Sequence, residues 1–153
     1  MIIYYLNIMK NFVTISGLLI TTLFANAQLV PPQPEDSWKI SLNKITVFTS
    51  SESNELLNTK KIKSTDWKKN GHLEVIYKET NPGNWLHSLQ FTDELGNQLL
   101  VKDSTTSAKI PIAALRKLCA GKKQLKIYML INPPNPMMMA PSRMIHLVTL
   151  RLP

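Results

Sequence analysis

Lys126-Ile127-Tyr128-Met129-Leu130-Ile131 and Met144-Ile145-His146-Leu147-Val148-Thr149-Leu150 are the two stretches whose reading decides the fold. Each reads as a strand. Between them lies Asn132-Pro133-Pro134-Asn135-Pro136-Met137-Met138-Met139-Ala140-Pro141-Ser142, a connection rich in proline and methionine. Pairing the two strands as a hairpin with Asn132 opposite Arg143 sets Met144, His146 and Val148 against Ile131, Met129 and Ile127. That register gathers the large apolar side chains on one face, which is what fixes register in a half-buried hairpin.

Working back toward the N-terminus, the same alternation recurs. Trp38, Ile40 and Leu42 alternate with polar residues, and Ile45 and Val47 alternate in the opposite phase, so Asn43-Lys44 is expected to be a tight turn between two strands. Lys60 to Lys69 is expected to form a short, lysine-bearing edge strand and a turn. Leu73, Val75 and Tyr77 mark a further strand. Asn81-Pro82-Gly83-Asn84 has turn chemistry, because proline presets one φ angle and glycine accepts a positive one. Trp85 to Thr92 alternates again, and Asp93-Glu94-Leu95-Gly96-Asn97 closes a hairpin onto Leu99 and Val101. One stretch alone has helical spacing: Ile112, Leu115 and Leu118-Cys119, with Pro111 in the first turn and Gly121 just beyond the end. The spacing predicts an all-β protein, an antiparallel two-sheet sandwich of about seven strands with one short helix over Pro111–Ala120.

The N-terminus carries a different signal. Lys10 is followed by the apolar run from Phe12 to Phe24, and Ala25-Asn26-Ala27 supplies the small residues of a signal-peptidase site. This run is too short to span a bilayer, so residues 1–27 read as a secretory signal peptide. Met9-Lys10-Asn11 has the form of an ordinary start. Residues 28–36, with Pro31, Pro32 and Pro34, read as an extended leader, and residues 37–153 as the sandwich domain. No membrane span is expected after cleavage, and the compartment is the periplasm or beyond.

Composition narrows the function classes. The 153 residues carry a formal net charge of +8, which favours attraction to acidic surfaces and says nothing about fold. Nucleic acid is not expected as a partner, since no RNP, helix-turn-helix or zinc-finger pattern is present. Cys119 is the one cysteine, so no intramolecular disulfide can form.

The run of strands, the Asp93-x-x-Gly96-Asn97 hairpin and the short helix before two long C-terminal strands resemble secreted sandwiches of the immunoglobulin-like or fibronectin-like kind. Ala25-Asn26-Ala27-Gln28 resembles the end of signal peptides from Gram-negative envelope proteins. The paired cysteines around a tryptophan that mark antibody domains are absent. Such modules carry many unrelated functions, so the resemblance implies a fold and no activity.

Catalysis has little to build on. Cys119 could pair with His72, His87 or His146, yet it sits on the apolar side of the expected helix, where a free cysteine is normally buried. There is no G-x-S-x-G, no H-E-x-x-H and no phosphate-cradling glycine loop, so no enzyme is expected. The Pro/Met connection is the feature to explain. One reading is a cap over the end of the sandwich. A second is recognition: methionines adapt to varied surfaces and prolines limit the entropy lost on docking. A third is Cu(I) held by thioether and imidazole donors from Met137, Met139, Met144 and His146. The expectation adopted is a non-catalytic, secreted or periplasmic binding or accessory module. It would contact an envelope protein or glycan through Pro133, Pro134, Pro136, Met137, Met138 and Met139, with no cofactor; the alternative is a copper-binding envelope protein.

Overall fold

Alternation does most of the architectural work. In strand β8 (Gln124–Asn132) every second side chain, Leu125, Ile127, Met129 and Ile131, is fully buried. Burying a side chain of this size stabilises by roughly 1.5–3 kcal/mol relative to exposure, so this strand alone anchors one wall of the core. The computed structural model describes residues 35–135, 137 and 140–153. The expected signal peptide, the leader up to Pro34, and Pro136, Met138 and Met139 lie outside the described residues.

Among the described residues, nine strands form two packed sheets. The first has the order β2-β1-β4-β7, from β1 (Ser37–Leu42), β2 (Ile45–Ser50), β4 (His72–Lys78) and β7 (Ser107–Pro111). The second has the order β3-β9-β8-β5-β6, from β3 (Thr59–Lys61), β5 (Leu86–Thr92), β6 (Gln98–Asp103), β8 and β9 (Arg143–Arg151). All pairings are antiparallel except the three-residue match of β3 with β9. The central orders β1-β4-β7 and β9-β8-β5 are those of strands A-B-E and G-F-C in the immunoglobulin Greek key, with β2 and β6 as additions at the edges. The core between the sheets includes Ile40, Leu73, Val75, Leu89, Phe91 and Ile127.

Among the described residues, two short helices sit between the strands. Helix α1 (Ser64–Lys68) follows β3, and helix α2 (Ile112–Leu118) carries the chain from β7 in one sheet to β8 in the other. The expected helix is therefore present, slightly shorter than Pro111–Ala120, and buries Ile112 and Leu115. The strand count exceeds the expected seven and α1 replaces an expected turn. β7 was hidden because only Ala108 and Ile110 of its five residues face inward, and α1 was hidden because it buries nothing.

The C-terminal hairpin departs from the expected register. Ile127 does pair with Val148, but Tyr128 pairs with His146, Leu130 with Met144 and Ile131 with Arg143. A β-bulge at Leu147 adds one residue to β9 and turns the upper half of the strand over. Met144 and His146 consequently lie on the outer face, opposite to Met129 and Ile131. The bulge is stabilised from the other sheet: Trp38 Nε1 donates to the Leu147 carbonyl at 2.7 Å.

Candidate functional site

Strand direction gathers the β4–β5, β6–β7 and β8–β9 connections at one end. The ends of β2, β4, β6 and β8 and the starts of β1, β5, β7 and β9 meet there, whereas β3 pairs with the far end of β9. The β4–β5 and β8–β9 connections occupy the places of the B–C and F–G loops, which in immunoglobulin variable domains form the antigen-binding end.

The Pro/Met connection stands at this end. Pro133 and Pro134 supply no backbone donor and so end β8 after Asn132. Asn135 Oδ1 accepts from the Met137 backbone N–H at 2.9 Å, a local turn that carries Met137 outward to 87% exposure. Of the expected contact residues, Pro133 is half-buried, and Pro134 and Met137 are exposed. The outer face below the loop continues the apolar surface: Met144 lies opposite the half-buried Leu130, and Leu86, opposite Asn132, lies diagonal to Leu130. Leu56 and Leu57 are exposed on the β2–β3 connection, which runs from this end toward the far end of β9, where Glu55 pairs with Lys126 and Thr59 with Thr149. Of the nine large apolar side chains exposed among the described residues, Leu86, Met137 and Met144 belong to this end. Scattered exposed apolar residues need no explanation, but these three share the loop and the strand face below it.

Beside the apolar surface lies a polar cluster. Asp36 accepts from the Tyr77 hydroxyl at 2.5 Å and from the Thr80 backbone N–H at 2.9 Å, which ties the end of the expected leader to β4. Burial first, and then the Asp36 carboxylate, raise the Tyr77 pKa far above that of a free phenol, so the hydroxyl stays a donor. Arg143 Nη2 stands 3.9 Å from Asp36 Oδ2 and 3.8 Å from Glu79 Oε1. The other oxygen of Glu79 lies 3.4 Å from His87 Nε2, without the alignment of a hydrogen bond. Glu35, Asp36, Glu52, Asn81 and Arg143 border an open recess of about 720 Å³. A second depression, about 350 Å³, is lined by Trp85, Leu86, His87 and the Ser104–Thr106 turn.

Sequence reasoning did not find this cluster. Asp36 before β1, Glu79 and His87 on either side of the β4–β5 connection, and Arg143 at the start of β9 come from three separate stretches of the chain, and only strand direction brings them together. The weak signal was position: each lies within one or two residues of a strand end.

The residues considered for chemistry fall elsewhere. Cys119 is buried at the opposite end, and burial pushes its thiol up to about 11. The thiolate that attacks or binds metal is therefore scarce near neutrality. None of His72, His87 and His146 is hydrogen-bonded to it. His146 is only 6% exposed: Nε2 pairs with Thr149 Oγ1 at 2.9 Å, and the ring stands edge-on to Tyr128. Desolvation lowers its pKa, keeping the ring neutral. Of the copper donors expected, Met144 and His146 share the outer face two positions apart, Met137 stands out on the loop, and Met139 lies outside the described residues. Among the described residues no group of three or more His, Cys, Asp or Glu side chains is placed to hold a metal ion. None of their helices is long and apolar enough to cross a membrane.

Fold and loop end together define a class, a two-sheet β-sandwich of immunoglobulin-like connectivity with an apolar and acidic loop end. No family model, curated protein or solved structure matches the chain.

Proposed function

We propose that this protein is a non-catalytic binding or accessory module of the periplasm or the extracellular space, which contacts an envelope partner through the loop end. The observation that carries the reading is the exposure of Met137, Leu86 and Met144 at the end where the β4–β5 and β8–β9 connections converge. Polar residues rim the apolar surface, with Glu35, Asp36 and Glu52 at the nearby recess. That arrangement suits a partner presenting apolar side chains within a basic border, since complementary charge sets register and encounter rate. A protein partner fits these features better than a neutral glycan does.

Met137→Ser combined with Leu86→Ser tests the proposal. Both side chains are exposed, so the unfolding free energy should change by no more than about 0.5 kcal/mol per site. Affinity for the envelope partner should fall at least tenfold, as expected when centrally placed contact residues are truncated. A large loss of stability with unchanged partner affinity would return the loop to a structural cap. Titration with Cu(I) separates the alternative: tight, stoichiometric binding that disappears on replacing Met137 and Met144 would favour the copper reading.

A further inference from the structure

The end opposite the loops has the reverse charge. Hydrogen bonds knit it into one continuous surface. The β1–β2 turn is tied to α1 through Asn43 Nδ2 and the Asp66 carbonyl. Helix α1 is tied to α2 by Arg116 Nη1, which donates to the Trp67 and Lys68 carbonyls at 3.1 and 2.7 Å. The turn after α2 meets the β5–β6 turn through Lys122 Nζ and Asp93 Oδ2 at 2.6 Å. The C-terminus joins through Leu152, whose N–H donates to the Lys123 carbonyl.

Segments 43–44, 61–69, 93–97, 112–124 and 151–153 build this surface. They hold ten lysines and arginines against three carboxylates, Asp66, Asp93 and Glu94. Two of those three are turned inward. Asp93 is fully buried and paired with Lys122, and Glu94 accepts from the backbone N–H groups of Lys123 and Gln124. Lys44, Lys61, Lys63, Lys117 and Lys123 are exposed and have no ion-pair partner among the described residues. The loop end holds the opposite balance, with Glu35, Asp36, Glu52 and Glu79 gathered around Arg143.

Two apolar side chains stand among these cations. Leu95, at the tip of the β5–β6 turn, is 80% exposed, and Leu118, at the end of α2, is 39% exposed. A soluble polyanion would satisfy the cations and leave the leucines in water. The boundary between headgroups and acyl chains accommodates both.

We infer that the α1–α2 end of the sandwich is a docking surface for an anionic phospholipid bilayer, with Leu95 and Leu118 entering the interface inside a ring of lysines. Docked so, the acidic loop end is repelled by the lipid and faces away from it. The protein then presents its contact loops at a fixed height above the membrane. This inference stands apart from the loop-end proposal: lipid binding needs no partner, and partner binding needs no lipid.

Flotation of the protein in its naturally occurring form with vesicles tests it. Phosphatidylcholine vesicles are compared with vesicles containing about one third phosphatidylglycerol, at about 0.1 M and about 0.5 M salt. Binding is expected to require phosphatidylglycerol and to collapse at the higher salt. Each cation near such a surface is worth roughly a factor of five, so Lys117→Gln with Lys123→Gln should weaken binding about thirtyfold. Leu95→Ser should weaken it roughly tenfold. Lys102→Gln, on β6 outside this end, serves as the control and should change little. Equal binding to neutral vesicles would overturn the inference, as would indifference to the two lysine changes. Retention on a sulfated polysaccharide without flotation would overturn it in favour of a glycan. The lipid and salt dependence of the unaltered protein decides the matter even where a variant folds poorly.

Discussion

Trp38 joins the two sheets through a single donor. Its indole N–H reaches the Leu147 carbonyl, which the bulge in β9 leaves free of a ladder partner, and the ring stacks near Tyr77 with centroids 6.4 Å apart. Trp38→Phe keeps most of the apolar surface and strands the carbonyl in the core. Leaving a buried acceptor unsatisfied costs about 1–3 kcal/mol, and chemical denaturation should read a loss in that range. Asp93 offers a test in pH. Lys122 first, then the Asn97 side chain and the backbone N–H groups of Asn97 and Leu95, hold its carboxyl well below the usual range. A carboxylate depressed in the folded state contributes stability above its unfolded pKa of about 3.9 and loses that contribution as pH falls further. Asp93→Asn should therefore be less stable near neutrality and show a flatter acid limb in melting temperature against pH. At this scale the sequence was partly legible. The alternation announced Trp38 as a core residue, but its acceptor lies 109 positions away and depends on a bulge that periodicity does not encode.

Among the elements, the β1–β2 hairpin shows both what was legible and what strain costs. The change of phase after Leu42 marked Asn43-Lys44 as the turn, and both residues adopt positive φ, 55° and 70°. Two consecutive left-handed residues make a type I′ turn, for which Asn-Gly is the favoured pair. Lysine at the second place carries the side-chain clash that glycine lacks. Lys44→Gly should raise stability by about 1 kcal/mol, read from thermal or chemical unfolding. Other elements escaped sequence reading for physical reasons. β7 has too few inward apolar side chains to display a period, and the five-residue α1 is held by its neighbours, since isolated helices of that length do not form in water. The hairpin of β8 and β9 was recognised, yet its upper register was set by one extra residue, Leu147. An insertion in the pairing leaves no mark on a stretch such as Met144–Leu150, where apolar residues occupy both phases of the alternation.

Over the whole molecule, the net charge of +8 was visible in the composition, but its segregation was not. Folding sends four carboxylates and one arginine to the loop end, and ten cations to the end bearing α1 and α2. The candidate site shares this history. Pro133, Pro134 and Met137 could be singled out from the chain as they stand. Leu86, Asp36, Glu79 and Arg143 join them only once strand direction is known. A module so polarised would work by contact at the loop end, and site-specific photo-crosslinking in living cells tests that claim most directly. With the crosslinking side chain placed singly at positions 137, 86, 102 and 109, capture of one and the same envelope partner is expected from 137 and 86, and none from 102 or 109. Partner capture from 102 or 109 with silence at 137 and 86 would contradict the loop end as the working surface.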